Sequence, residues 1–339
     1  MNHQIDTNTI NIRTDLAIEQ IGSNIDNIIK KEIDNIKITT IKIDDKNSEK
    51  YMKKCGKYVT IEFDDATDFN NCMQIEKVFI NELKVFLNDY KIKDNDTCLV
   101  VGLGNQNSTP DSLGPLSISN IIVTNHFYLM NIDVEEGFRS VAAISPGVMG
   151  QTGIETSDII NSIVKKIKPD FLIVIDSLKA TNIKRINKTI QITDAGINPG
   201  SGIGNKRKEI SKETINVPVF AVGIPTVVDT TTIINDSINY ITNYYTYMKE
   251  NINNPIEKLK IVRTNFKNNE INIKDKKELF GLIGNLNEEE LKSFIQEVLI
   301  STDYNMIVTT KDIDFEIKKL SDIISNGINN ALHKNVTHL

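Results

Sequence analysis

The order of apolar and polar positions divides the chain into recognisable elements. Ile36 to Ile43 reads I-K-I-T-T-I-K-I, an alternation of period two that predicts a half-buried strand. Lys57 to Phe63 reads K-Y-V-T-I-E-F and predicts its hairpin partner, with turn chemistry at Asp44, Asp45, Lys46 and Asn47 between them. Ile75, Val78, Phe79, Leu83, Phe86 and Leu87 recur at helical spacing and predict a helix over about 70–89. Residues 1–30 are polar and weakly periodic, and read as a flexible arm.

From Thr97 the pattern changes. T-C-L-V-V-G-L-G-N is a continuous apolar run ending in glycines, as expected of a strand buried on both faces of a parallel sheet. A helix from about Ser112 to Phe127 follows, then a strand at S-V-A-A-I-S and a helix from Gly153 to Lys168, stopped before Pro169. Further strands are predicted at F-L-I-V-I-D, K-T-I-Q-I-T-D and V-P-V-F-A-V-G-I-P, and a long helix at about Thr230 to Lys249. Residues 250–285 read as a charged, Asn-rich insertion, followed by helices at about 287–300 and 310–333. Strands alternating with helices at this pitch predict an α/β layered sheet. The core would be about 97–250, with elaborations at both ends.

Composition narrows the function classes. Lys and Arg number 39 and Asp and Glu 45 in 339 residues, a net charge of −6, which disfavours coating of a nucleic-acid backbone. Trp is absent, so the core must be aliphatic. The three cysteines, Cys55, Cys72 and Cys98, have no zinc-site spacing and form no complete disulfide framework, which fits a reducing cytoplasm. No secretory leader and no membrane-spanning run is visible.

Ligands of open α/β sheets bind beyond the carboxyl ends of strands. Four loops are candidates. The first, Gly102 to Pro115, carries Asp111 just before a predicted helix, where it is either an N-cap or a functional carboxylate. Asn107 stands where a dinucleotide loop needs its third glycine, and no G-K-[ST] follows. The second, Pro146 to Thr156, has three glycines and reads chiefly as a tight turn. The third begins at Asp176, delivered by five apolar residues to the end of a central strand. The fourth, Asp194 to Arg207, is glycine-rich and could bind an anion through Lys206 and Arg207, or bring backbone amides to an extended peptide. Thr226 and Asp229 read as turn and cap residues. Two converging carboxylates can share a proton and activate water against a peptide carbonyl. The four histidines, His3, His126, His333 and His338, fall outside these loops, which argues against a Ser-His-Asp or Cys-His site. His126 reads as structural.

Together the loops resemble a known family. GLGNQNSTPDSLGP, VTNH, PGVMGQTGIET, TIQITDAGINPGSGIGNKR and VPVFAVGIPTVVD, with NIRTDLA near the start and INNALH near the end, are similar to the germination proteases of spore-forming bacteria. The resemblance implies an endopeptidase that degrades small acid-soluble spore proteins as germination begins, cutting after an acidic residue. It implies a self-processing zymogen, a homotetramer, and a three-layer α/β sandwich with a mostly parallel sheet like that of hydrogenase maturation proteases. It implies no cofactor, no direct nucleic-acid partner and no membrane partner, and a place in the forespore and spore core. Its proposed catalytic pair carries over to Asp111 and Asp176. Its processing site carries over to the bond between Asp15 and Leu16, making residues 1–15 a propeptide and 16–339 a single protease domain with a helical elaboration from about 251. Gly200, Gly202 and Gly204 are the substrate-binding expectation. Ser112 and Lys179 depart from the family's usual small residues. Two rivals are a metal-dependent protease of the hydrogenase-maturation type, for which no third ligand such as a histidine lies between His126 and His333, and a non-catalytic nucleotide- or anion-binding module.

Overall fold

A computed structural model describes residues 14–21, 28–200, 208–254, 256, 271–302 and 304–336. The described residues fall into two compact units: one within Arg13–Ala180, Lys184–Val227 and Thr309–Leu339, the other within Thr181–Ile183 and Val228–Val308.

The first unit begins with a short helix α1 (Ala17–Ile21), then strands β1 (Ile28–Ile33) and β2 (Ile36–Ile43), helix α2 (Asp45–Tyr51), strand β3 (Gly56–Glu62) and helix α3 (Phe69–Asp89). Asp34 and Asn35 both have positive φ, the two-residue hairpin turn that matches strand twist. The turn expected at Asp44–Asn47 instead opens α2, because the Asp44 carboxylate caps the Asn47 N–H at 3.0 Å. Strand β4 (Cys98–Gly102), helices α4 (Leu113–Ile118) and α5 (Asn125–Leu129), strand β5 (Val141–Ile144), helices α6 (Met149–Thr152) and α7 (Thr156–Ile167), and strands β6 (Phe171–Ala180) and β7 (Thr189–Thr193) follow. Helix α8 (Lys212–Ile215) leads to β8 (Val219–Asp229), and the helix Ile313–Leu332 closes the unit.

The strand order is β1-β2-β3-β7-β8-β6-β4-β5. Strand β4 is parallel to β5 and β6, whereas β1, β2, β3, β7 and β8 pair successively antiparallel. The sheet is therefore mixed, with parallel pairing around β4 and the predicted N-terminal hairpin added as an antiparallel extension.

Alternating residues of the central strands feed two cores. Cys98, Val100, Phe171, Ile173 and Ile175 pack with Phe79, Leu83 and Phe86 of α3 and with Leu320 and Ile324 of the closing helix. Leu99, Val101, Leu172 and Val174 face the other way, against Ile160 of α7 and Ile215 of α8. Burial on both faces explains the unbroken apolar runs. The α/β class and a sheet enclosed by helices match the expectation.

Three further elements differ from the sequence reading. The helix expected over 112–127 is two short helices, because Asn329 captures the chain between them, accepting from Ile122 N–H at 2.9 Å and donating to Asn120 O at 2.9 Å. Residues 28–33 within the supposed arm form an edge strand, mostly exposed. Strand β6 runs four residues beyond Asp176.

In the second unit, Val228 and Asp229 at the end of β8 pair with β9 (Ile307–Val308). Helix α9 (Thr230–Glu250) carries Ile234 and Ile238 against Leu291, Ile295 and Leu299 of the helix Glu288–Ser301. Within the stretch read as an insertion, the described residues include the helix Ile273–Phe280.

Candidate active site

The Asp111 loop is built by hydrogen bonds and one glycine. Asn105 N–H donates both to the Asp111 carbonyl and to its carboxylate, each at 2.9 Å. Gly104, with φ of 113°, lets the chain fold back so closely that a Cβ there would lie 2.1 Å from Asp111 O. Thr109–Asp111 form a 3-10 turn, which Ser112 supports by donating its hydroxyl to Thr109 O at 2.8 Å. Asp111 is thus no N-cap: Ser112 occupies that position before α4, and the Asp111 carboxylate, half-buried, is turned across its own loop.

Asp176 lies where β6 outruns its neighbour. The last β4–β6 pair is Gly102 with Ile175, and Leu103 N–H donates to Ile175 O at 2.8 Å. Asp176 is therefore the first residue beyond the parallel pairing, 6% exposed, and one of its oxygens accepts its neighbour Ser177 N–H at 2.9 Å. It does not end the strand, as the sequence reading had it.

The loops after β4 and β5 meet each other, and the first of them meets β6. The 3-10 turn carrying Asp111 touches β6. Gln151 of the second loop donates to Asn105 Oδ1 at 2.5 Å. Thr226, expected in a turn, is fully buried inside β8 and donates its hydroxyl to Pro110 O at 2.7 Å. Asp229 does fall at the N-cap position of α9.

The fourth loop starts elsewhere. Leu172 N–H donates to Pro218 O, so β6 and β8 start side by side, and β7 runs against β8. The carboxyl end of β7 consequently faces the opposite way. There Asp194 accepts from Lys57 N–H at 2.7 Å and from Tyr90 OH at 3.2 Å. Burial, with the Asp194 charge beside it, pushes the Tyr90 phenol up to about 12. Gly200 has left-handed backbone, φ 67°; Gly202, Gly204, Lys206 and Arg207 lie outside the described residues.

The segment around Asp15 is a feature that side-chain motifs did not place in space. Asp15 N–H donates to Lys179 O at 3.0 Å, and Lys179 N–H donates to the Asp15 carboxylate at 2.8 Å. The Asp15 carbonyl accepts from Lys53 Nζ at 2.9 Å and from Gln191 Nε2 at 3.1 Å. Lys53 Nζ also reaches Thr14 O at 3.0 Å, and Gln191 Oε1 accepts Ala17 N–H at 2.8 Å. Leu16 and Ala17 are fully buried.

Strand parity puts this segment on the Asp176 side of the sheet. Leu172 and Val174 face the α7–α8 core, so Asp176, two residues on, shares that face. Ile190 and Ile192 face the opposite core, so Gln191 between them points to the side of Asp176.

Among the described residues, no three His, Cys, Asp or Glu side chains converge to hold a metal ion. His126 is exposed, its ring 3.9 Å from that of Phe127. Among the same residues, no helix is long and apolar enough to cross a membrane.

An α/β sheet with one acidic residue in the loop after a parallel strand, another where the adjacent strand outruns its neighbour, and a chain segment held across the second one's face, has the make-up of a hydrolase of peptide bonds. A family model described as germination protease, peptidase A25, matches residues 4–338. A germination protease of Geobacillus sp. is 42% identical, covering 99% of this chain and 97% of its own. Those of Bacillus velezensis and Bacillus subtilis are 43% and 41% identical, covering 99% and 98% of this chain and 97% and 96% of theirs. A solved NiFe hydrogenase maturation protease from Thermococcus kodakarensis aligns with 42% of this chain and 80% of its own, at 16% identity and a TM-score of 0.27. The chain belongs to the germination protease family and is a protease.

Proposed function

We propose that this protease begins the degradation of small acid-soluble spore proteins at germination. It is made in the forespore as a homotetrameric zymogen that removes its own residues 1–15 by cutting between Asp15 and Leu16. The protease domain is then residues 16–339. The observation that carries this reading is the docking of Thr14–Ala17 on the sheet face that bears Asp176. An acidic residue at the cut matches the Asp15 carboxylate, which takes the Lys179 backbone N–H.

In the proposed mechanism Asp176 takes a proton from water. The water oxygen attacks the Asp15 carbonyl carbon, and Asp111 returns a proton to the Leu16 nitrogen as the C–N bond breaks. The pair ends with the protons it began with.

The test is intact-mass spectrometry of the full chain incubated at mildly acidic pH with chelator, beside Asp176→Asn and Asp111→Asn. Loss of residues 1–15 from the wild type alone is the expected result. Equal trimming of all three chains refutes the aspartate pair.

A further inference from the structure

Neither Lys53 nor Gln191 lies in a loop that the sequence marked. Lys53 follows α2 directly. Met52 adopts left-handed backbone, φ 47°, as the C-cap, and the chain is then tied back to the helix, Lys53 N–H to Ser48 O at 3.2 Å and Ser48 Oγ to Lys53 O at 2.7 Å. This fixes the root of a long side chain whose ammonium meets the carbonyls of Thr14 and Asp15. Gln191 is 5% exposed in β7, held by pairing with Thr60 on one side and Gly223 on the other. Its amide orientation is set by both ends, because Oε1 accepts one N–H while Nε2 donates to one C=O.

We infer that Lys53 Nζ and Gln191 Nε2 are the oxyanion donors for cleavage after Asp15, and that Gln191 registers the chain by gripping it on both sides of that bond. This inference rests on the proposed self-processing. When water adds to the Asp15 carbonyl carbon, the C=O π pair moves onto Asp15 O. That oxygen already accepts donors at 2.9 and 3.1 Å, the range in which an oxyanion is stabilised. One donor is cationic, so its bond strengthens most as negative charge develops. Although Lys53 as a residue is half-buried, desolvation of its ammonium outweighs the nearby Asp15 and Glu19 charges and lowers its pKa from the ordinary lysine value. A poorly hydrated cation gains more from a new anion than one already solvated. Gln191 holds the carbonyl before the bond and the Ala17 N–H after it. It fixes which carbonyl receives the water, whereas the backbone of Lys179 binds the acidic side chain.

The test follows the first-order loss of residues 1–15 in full-length wild type, Asp176→Asn, Lys53→Met, Lys53→Arg and Gln191→Met, each with a thermal melt. Expected are a loss of about a hundredfold or more in Lys53→Met, recovery to within about tenfold in Lys53→Arg, and a loss of about tenfold or more in Gln191→Met. If the wild type is trimmed and Asp176→Asn is not, but a folded Lys53→Met is trimmed at the wild-type rate, the donor assignment alone falls. Lys53→Arg as slow as Lys53→Met with a normal melt also overturns it. If Lys53→Met has no cooperative melt, Gln191→Met decides: trimming at the wild-type rate overturns the inference. An untrimmed wild type, or trimming of Asp176→Asn at the wild-type rate, removes the self-processing reading and the donors with it.

Discussion

Replacing Gly104 with alanine separates the Asp111 loop from the rest of the fold. At φ 113° the backbone of Gly104 lies where L side chains are rarely tolerated, and such strain costs on the order of 1–3 kcal/mol. The new Cβ would also lie 2.1 Å from Asp111 O, whereas ordinary contact begins at 3.4 Å. The obstacle is main chain, so the loop must move by about 1 Å, and misplacement on that scale costs roughly a hundredfold in rate. The two bonds from Asn105 N–H to Asp111 would be lost or lengthened, at about 1 kcal/mol each. The expected result is a melting temperature lower by roughly 5–10 °C, with self-processing slowed about a hundredfold well below the melt. Gly150→Ala is the control: it lies in α6 with nothing within 4 Å of a Cβ, and should be neutral or slightly stabilising. Differential scanning calorimetry and the intact-mass assay read both effects. Gly104→Ala that melts within 1 °C of wild type and processes at its rate would refute the proposed dependence on this loop.

Thr226→Val removes the hydroxyl bridge to Pro110 O and should cost about 1–2 kcal/mol by urea titration, with processing slowed roughly tenfold; unchanged processing would uncouple β8 from the Asp111 loop. Gly327→Ala puts a Cβ 2.3 Å from the Phe79 ring and should cost about 1–3 kcal/mol, partly recovered in the double variant with Phe79→Leu; additive losses would contradict direct contact. His333 is held neutral by burial and by the Arg139 charge, against a raising effect from Ile122 O. Arg139 N–H donates to its Nδ1 at 3.1 Å, so protonation would set donor against donor. Its folded pKa lies below the unfolded value, so its stabilisation is present above about pH 6.5 and is lost as pH falls through the folded value. His333→Gln should therefore lose less melting temperature than wild type between pH 7.5 and 5.5, and equal losses would refute the assignment.

The sequence pattern carried the parts of the fold that depend on local periodicity. The alternation at Ile36–Ile43 is β2, and the helical spacing of Ile75 to Leu87 lies within α3. The apolar runs ending near Gly102 and Asp176 are the paired strands β4 and β6. What escaped depends on distant partners. The break between α4 and α5 comes from Asn329, about two hundred residues away. Edge strand β1 buries little, so no apolar alternation marks it; only its backbone pairing with β2 defines it. Lys53 and Gln191 act on main-chain atoms 38 and 176 residues distant, and main-chain partners leave no signature in side-chain spacing.

The same distinction accounts for the two departures from the family pattern. Ser112 is 3% exposed, and its hydroxyl closes the 3-10 turn that presents Asp111, so a small polar residue there does structural work that a carboxylate position needs. Lys179 is buried. Its backbone N–H and C=O bond to the Asp15 segment, through atoms that every residue except proline supplies. Recognition of the segment through this part of β6 is thereby insulated from side-chain identity. In the proposed cleavage, discrimination among bonds rests on groups that must be particular: the carboxylate of Asp15, the ammonium of Lys53 and the two-ended amide of Gln191. A strand that binds by its backbone can vary in sequence while the chemistry proposed for Asp176, three residues before Lys179, stays in place.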